Sequence, residues 1–301
     1  MSDSKRIAEL DANTIFKTTS TNEVISDDSI TLSVLTQEAR NIADESIEQN
    51  ITTKKNAHVS LGGLLHALLD YASNDELPDG TTGIRHTAGV ICTSYKEGRL
   101  QETALVWIEH MLWPTREDYR CAVHRNEVDV DSEDLTERRE GDVADFRLEG
   151  CPILPLSSSS FYEKGNKEVW ASFDIQLLVG EGSNDTNNGI LMDKALHDAF
   201  GAFTIFFVPV DNEPNTYTVH SVKRKNSGYP RVKFGTRQGV AAPLPKLLEI
   251  HAAFAQALHA SGAGAYFDEI RRDHEEIRVL ATDGSTDTRI LNYSLQTLAV
   301  R

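Results

Sequence analysis

Apolar residues recur at helical spacing in four stretches of the first third of the chain. From Asp28 to about Asn50, Leu32, Leu35, Ala39, Ile42 and Ile47 form one stripe, and Asp27, Asp28 and Ser29 can cap its start. Val59–Ala72 carries Leu61, Leu64, Leu65, Leu68 and Leu69 on a broad apolar face. His66 on that helix reads as a packed or partly solvated residue. Two further helices are expected at His86–Glu97 and Leu100–Trp113, the second stopped by Pro114.

The pattern then changes. Residues Glu127–Glu149 hold ten acidic and three basic side chains with no helical stripe, which predicts a solvated loop or weak helix. Calcium ligation by Asp129, Asp131, Glu133 and Asp134 would need a turn glycine that the stretch lacks at loop spacing. A helix from Asp193 to about Phe200 comes next, then short strands at Thr204–Val208, Tyr217–Val222 and Arg231–Phe234, set apart by Asn, Pro and Gly. A long helix is expected from Pro245 to about Ser261. Its His251 and His259 fit helical amphipathicity without a metal. Residues 1–28 are polar and without sustained period, so they read as a flexible arm with a short strand at Thr14-Ile15-Phe16.

Composition narrows the class. With 40% hydrophobic and 25% charged residues in 301, the chain can bury a globular core. No apolar run reaches spanning length and the N-terminus lacks a secretory signal's apolar stretch, so no membrane role and an intracellular location, cytoplasmic or nuclear, are expected. Cys92, Cys121 and Cys151 are too few and scattered for a disulfide framework. The net charge of −16 sits in the front half: residues 1–150 carry 15 basic and 29 acidic side chains, against 15 and 17 in the remainder. That sign argues against tight nonspecific DNA binding, which Lys and Arg contacts to phosphate dominate. Only residues 201–250 reverse it, with seven basic and three acidic side chains. Lys223, Arg224, Lys225, Arg231, Lys233 and Arg237 are the candidate nucleic-acid contact, a solvated basic loop being the plainer reading.

The segment from Asn187 to Phe200, NNGILMDKALHDAF, resembles the second half of an HNH nuclease motif. Eight residues separate Asn188 from His197, the spacing of that motif's loop Asn and helix His. Arg116-Glu117-Asp118-Tyr119-Arg120-Cys121 is similar to the lead-in of fungal HNH-domain proteins, and Leu148–Pro155 to their first motif strand. Leu64–Tyr71, Trp107–Trp113 and Pro243–Gly264 also resemble flanking segments of those uncharacterised proteins, so the likeness spans roughly residues 60–270. The resemblance implies a divalent cation (Mg, Mn or Zn) held by His197, with Asn188 bracing the loop.

Two departures from the family pattern limit that implication. The first motif strand of the family carries a general-base His, and here that place holds Pro152, which has no proton acceptor. Cys151 stands where relatives keep a metal ligand, and as a thiolate it suits zinc better than magnesium. Cys121 and His124 could complete a zinc site with Cys151 and His197, although spacing does not decide it. The expectation is therefore a degenerate HNH-endonuclease-like protein, weak or inactive, or else a non-catalytic scaffold for protein or nucleic-acid contact.

The expected fold class is α+β: a helical N-terminal region plus a ββα-metal (HNH-like) module with a short-strand and helix C-terminal extension. The expected boundaries are a flexible arm at 1–28, a helical region at 29–114, the module with its strands and helix at 115–265, and a tail at 266–301.

Overall fold

A computed structural model describes residues 16, 19–51, 58–74, 81–112, 148–154, 173, 186–222, 230–235 and 242–268. Five helices lead: α1 (Thr19–Ser26), α2 (Leu32–Glu45), α3 (Leu61–Tyr71), α4 (Gly83–Lys96) and α5 (Leu100–Trp107). A two-residue pair, β1 (Asn50–Ile51) with β2 (Val59–Ser60), precedes α3, and α5 runs on into a wide turn at Ile108–Leu112. Then come β3 (Leu148–Pro152), β4 (Gly189–Asp193), α6 (Lys194–Gly201), β5 (Ile205–Pro209), β6 (Thr216–Ser221), β7 (Arg231–Lys233) and α7 (Pro245–Ser261). Mixed helix and small antiparallel sheets agree with the α+β class.

The helix starts obey local chemistry. Thr31, Ser60 and Thr82 accept at their side-chain oxygens from Val34, Gly63 and Arg85 amides, satisfying donors that open α2, α3 and α4. Pro245 opens α7, where its missing N–H costs nothing, and Gly262 ends it at φ 76°. A side chain at 262 would also meet the His58 carbonyl 2.9 Å away.

Helix α3 is the centre of the helical layer. Leu61, Leu64, Leu65, Leu68 and Leu69 are all buried, each contributing about 1.5–3 kcal/mol of burial. Its first turn passes two other backbones at once. A Cβ on Gly62 would stand 2.5 Å from the Ala43 carbonyl of α2, and one on Gly63 would strike the Ala260 carbonyl of α7. The two glycines let α2 and α7 close on α3 from either side, and the Gly62 amide donates to Ser46 O at 3.1 Å. Arg40–Asp70 (2.7 Å) and His66–Asp44 (2.9 Å) tie α2 to α3 at the surface, so His66 is the partly solvated residue expected of it.

Two expected boundaries differ. The arm at 1–28 ends in α1, which lies on α4: Gly89 of α4 leaves room for Ile25, whose side chain would sit 2.6 Å from an added Cβ. Phe16, expected in a strand, has helical backbone and is buried edge-on against Trp107. The polar composition concealed this: among the described residues of the segment, Phe16 and Ile25 are the buried apolar anchors, with Val24 partly buried beside them. Arg85 completes it, its guanidinium donating to the carbonyls of Ile25 (2.6 Å), Asp27 (2.6 Å) and Ile30 (3.0 Å). The second boundary, at 114, does not separate two cores. Helix α7, expected with the module, packs along α3, and Tyr266 and Phe267 of the expected tail are buried in the same core.

Gly63→Ala is expected to destabilise the protein by about 1–3 kcal/mol, since rigid backbone rather than a movable side chain meets the new methyl. Gly235→Ala, where no described atom lies within 4 Å, is the matched control and should stay within about 0.5 kcal/mol. Urea midpoints compare the two, and equal midpoints would remove the crossing from its central place.

Candidate functional site

Strands β3 and β4 pair antiparallel, with Cys151 opposite Ile190 and Pro152 opposite Gly189. Cys151, Ile190 and Met192 are buried while Leu191 is exposed, the alternation of a sheet covered on one face. The Ile153 amide donates to Asn188 O at 2.8 Å, so alternation along the ladder makes Pro152–Gly189 a pair without inter-strand hydrogen bonds. The Pro152 nitrogen therefore faces away from β4, where a ladder donor is not required.

Asn188 is the brace of the site. It is 6% exposed; its Oδ1 accepts from the Leu154 amide at 2.9 Å, and its Nδ2 donates to the Leu154 carbonyl at 2.8 Å. One side-chain amide thus satisfies both backbone groups of a buried residue at the end of β3. Its neighbour Asn187 accepts at the carbonyl from the Leu244 amide at 2.9 Å, which fastens the same turn to the start of α7.

Helix α6 continues directly from β4. Asp193 Oδ1 accepts from the Ala195 amide at 2.9 Å and caps it. His197, Phe200 and Gly201 face inward, with His197 5% exposed, while Lys194 and Asp198 face solvent. The helix ends in a paired reverse turn: Phe203 N donates to Phe200 O at 2.8 Å and Thr204 N to Ala199 O at 2.9 Å. Position 203 needs the left-handed conformation (φ 57°) that glycine usually supplies, yet holds Phe.

Helix α7 compensates this unusual ending. The buried His251 ring lies flat on Phe200, with ring centres 3.6 Å apart and planes 5° from parallel, and also stacks on Phe203 at 4.6 Å. Its Nε2 donates to Phe200 O at 3.1 Å, and His259 Nε2 donates to Phe203 O at 2.9 Å. Burial drives the His251 pKa down to about 3, with the bond to Phe200 opposing that shift in part. Helical amphipathicity accounts for where these histidines lie but not for these bonds. The aromatic density of Phe200, Phe203, Phe206 and Phe207 was the available signal.

The donor set around His197 does not fit a divalent cation among the described residues. No three His, Cys, Asp or Glu side chains gather there or elsewhere among them. The Asn188 side chain is committed to Leu154, and Pro152 offers no donor atom. The Cys151 thiol, 1% exposed, lies 3.5 Å from the Pro152 carbonyl rather than facing an open cleft. Cys121, His124 and the acidic stretch up to residue 147 lie outside the described residues. So do Lys223, Arg224, Lys225 and Arg237. Arg231 and Lys233 point to one face of β7, both exposed, with Arg231 paired to Glu213 at 2.9 Å. No helix among the described residues is long and apolar enough to cross a membrane.

A family model described as HNH endonuclease matches residues 121–208, a stretch that takes in β3, β4, α6 and most of β5. The match supports an HNH nuclease domain in this part of the chain, and with it an HNH-endonuclease-like protein. No curated protein and no solved structure matches the chain.

Asn188→Ala should cost roughly 2–4 kcal/mol, because a buried amide and a buried carbonyl of Leu154 both lose their partner. Asn188→Asp should be about as damaging, since a carboxylate cannot donate to Leu154 O; an Asp variant as stable as wild type in urea would refute the bracing role.

Acid supplies a second expectation. His251 is held neutral in the fold at a pKa far below its unfolded value near 6.5, so its contribution is complete above that value. It is lost as pH falls from about 6.5 towards 3, by at most about 1.4 kcal/mol per pH unit. The stability advantage of wild type over His251→Phe should therefore shrink between pH 7 and pH 4; an advantage that stays constant in urea titrations across that range would contradict the buried neutral imidazole.

Proposed function

We propose that β3, β4 and α6 form a ββα-metal (HNH-like) module that retains the nuclease scaffold without its full chemistry, so that phosphodiester cleavage is weak or absent. The carrying observation is Pro152. It occupies the place of the general base, beside the turn that Asn188 braces, and has no atom that can take a proton from the attacking water. General-base assistance is worth roughly 10²–10⁴ in rate, enough to separate a working nuclease from an inert one. If cleavage is retained, the resemblance implies Mg, Mn or Zn at His197, with Cys151 beside it. The described donors give that site no support. The acidic residues of 127–149 would further oppose a polyanionic substrate.

A second reading, that of a non-catalytic scaffold contacting nucleic acid or protein, draws on β7. Arg231 and Lys233 expose two cations on one face of an edge strand, in the chain segment that also carries Lys223, Arg224 and Lys225. An intracellular location, cytoplasmic or nuclear, accompanies either reading.

Purified protein incubated with supercoiled plasmid and magnesium, manganese or zinc in turn should show no cleavage above a His197→Ala control, with circular dichroism verifying that both are folded. Cleavage that the substitution abolishes would overturn the inactive reading and assign the base to another residue.

A further inference from the structure

Helix α7 touches the candidate module at three places spaced along one side. Its cap residue Leu244 donates from the backbone to Asn187 O, the buried His251 donates to Phe200 O, and His259 donates to Phe203 O. Residues 244, 251 and 259 are separated by about two helical turns each, so one face of α7 meets the module at each of them. The first contact is at the turn that leads into β4, and the other two are at the end of α6. His197 lies between them in the chain, one turn before Phe200.

Carbonyls at a helix C-terminus lack intrahelical donors and attract donor side chains. Usually the donor comes from the helix itself. Here both come from another element, and one of them, His251, stacks on the rings of both Phe200 and Phe203. Phe203 shows why the arrangement matters for orientation. A left-handed backbone at a bulky residue costs about 1–2 kcal/mol and persists only where its surroundings over-determine it. The His251 stack and the His259 bond supply that constraint.

We propose that His251 and His259 are positioning residues: α7 uses the two imidazoles to fix the end of α6, and through it the orientation of the His197 ring. The role is independent of whether the module cleaves nucleic acid, because it concerns where the ring is held and not what it does. It also connects the module to the helical layer, since the far end of α7 is seated against Gly63 of α3 at Ala260. The connection explains why no core boundary falls between the two parts.

The test uses the full-length protein and two readouts, amide hydrogen exchange and the imidazole NMR resonances of His197. His251→Phe keeps an aromatic ring in the stack and removes the donor; His259→Phe removes the outer donor at an exposed position where folding is not at stake. Each should raise exchange at residues 197–204 by roughly tenfold, the effect of one lost hydrogen bond, and shift the His197 resonances. Exchange in α2 and α4 should be unchanged. His259→Gln, which restores a donor on a flexible arm, should recover part of the protection. Unaltered exchange in α6 would refute the proposal. So would a rise of the same size across α2 and α4, which would show that the histidines only add to global stability.

Discussion

Backbone must approach backbone at the start of α3, and that approach sets the positions of the other large elements. Gly62 admits the end of α2 and Gly63 admits the end of α7, at separations that any side chain would forbid. The constraint is geometric before it is energetic: the leucines beyond these glycines can bury themselves only once the two helices have closed to this distance. Because α7 also runs along the module with Leu244, His251 and His259, the crossing at Ala260 lies next to the His259 contact that holds the turn after α6. Cys92 of α4, whose thiol lies near Leu35 O, belongs to this tightly closed layer, and burial pushes its pKa up to about 12, which favours the protonated thiol at neutral pH.

The module obeys a second economy, in which polar side chains serve backbone groups. Asn188 answers both groups of Leu154, Asp193 answers the first turn of α6, and two histidines answer its last turn. Asn, Asp and His can each serve chemistry as well as structure. A residue's presence in a motif therefore says less than what its polar atoms already hold. By that measure Asn188 serves the backbone of Leu154 and His251 that of Phe200.

Much of the architecture was legible because it depends on periodicity and punctuation. Helix α7 was expected from Pro245 to Ser261 and spans those residues; the expected strand beginning at Arg231 is β7; and the helix expected from Asp193 to about Phe200 is α6. What escaped depended on long-range contact. The docking of α1 rests on Ile25, Phe16 and the three carbonyls bound by Arg85, and no local pattern announces a guanidinium that reaches back some sixty residues. The same limit hid the histidine bonds, since spacing on one helix does not reveal which carbonyls on another will face it. The pairing of Asn188 with the strand was implied by resemblance, but its partner, the backbone of Leu154, was not.

Pro152 shows how a paired strand can accommodate a proline. A proline in a paired strand ordinarily forfeits a ladder bond, and the loss would be felt in folding. At this register the nitrogen faces away from β4, so the proline leaves the pairing undisturbed. The residues that the fold requires, Asn188 and Asp193, lie on other atoms and other bonds. The position that the resemblance assigns to the general base is thus separate from the residues that hold the turn and cap the helix, so what stands at 152 is not constrained by the bonds of Asn188 and Asp193.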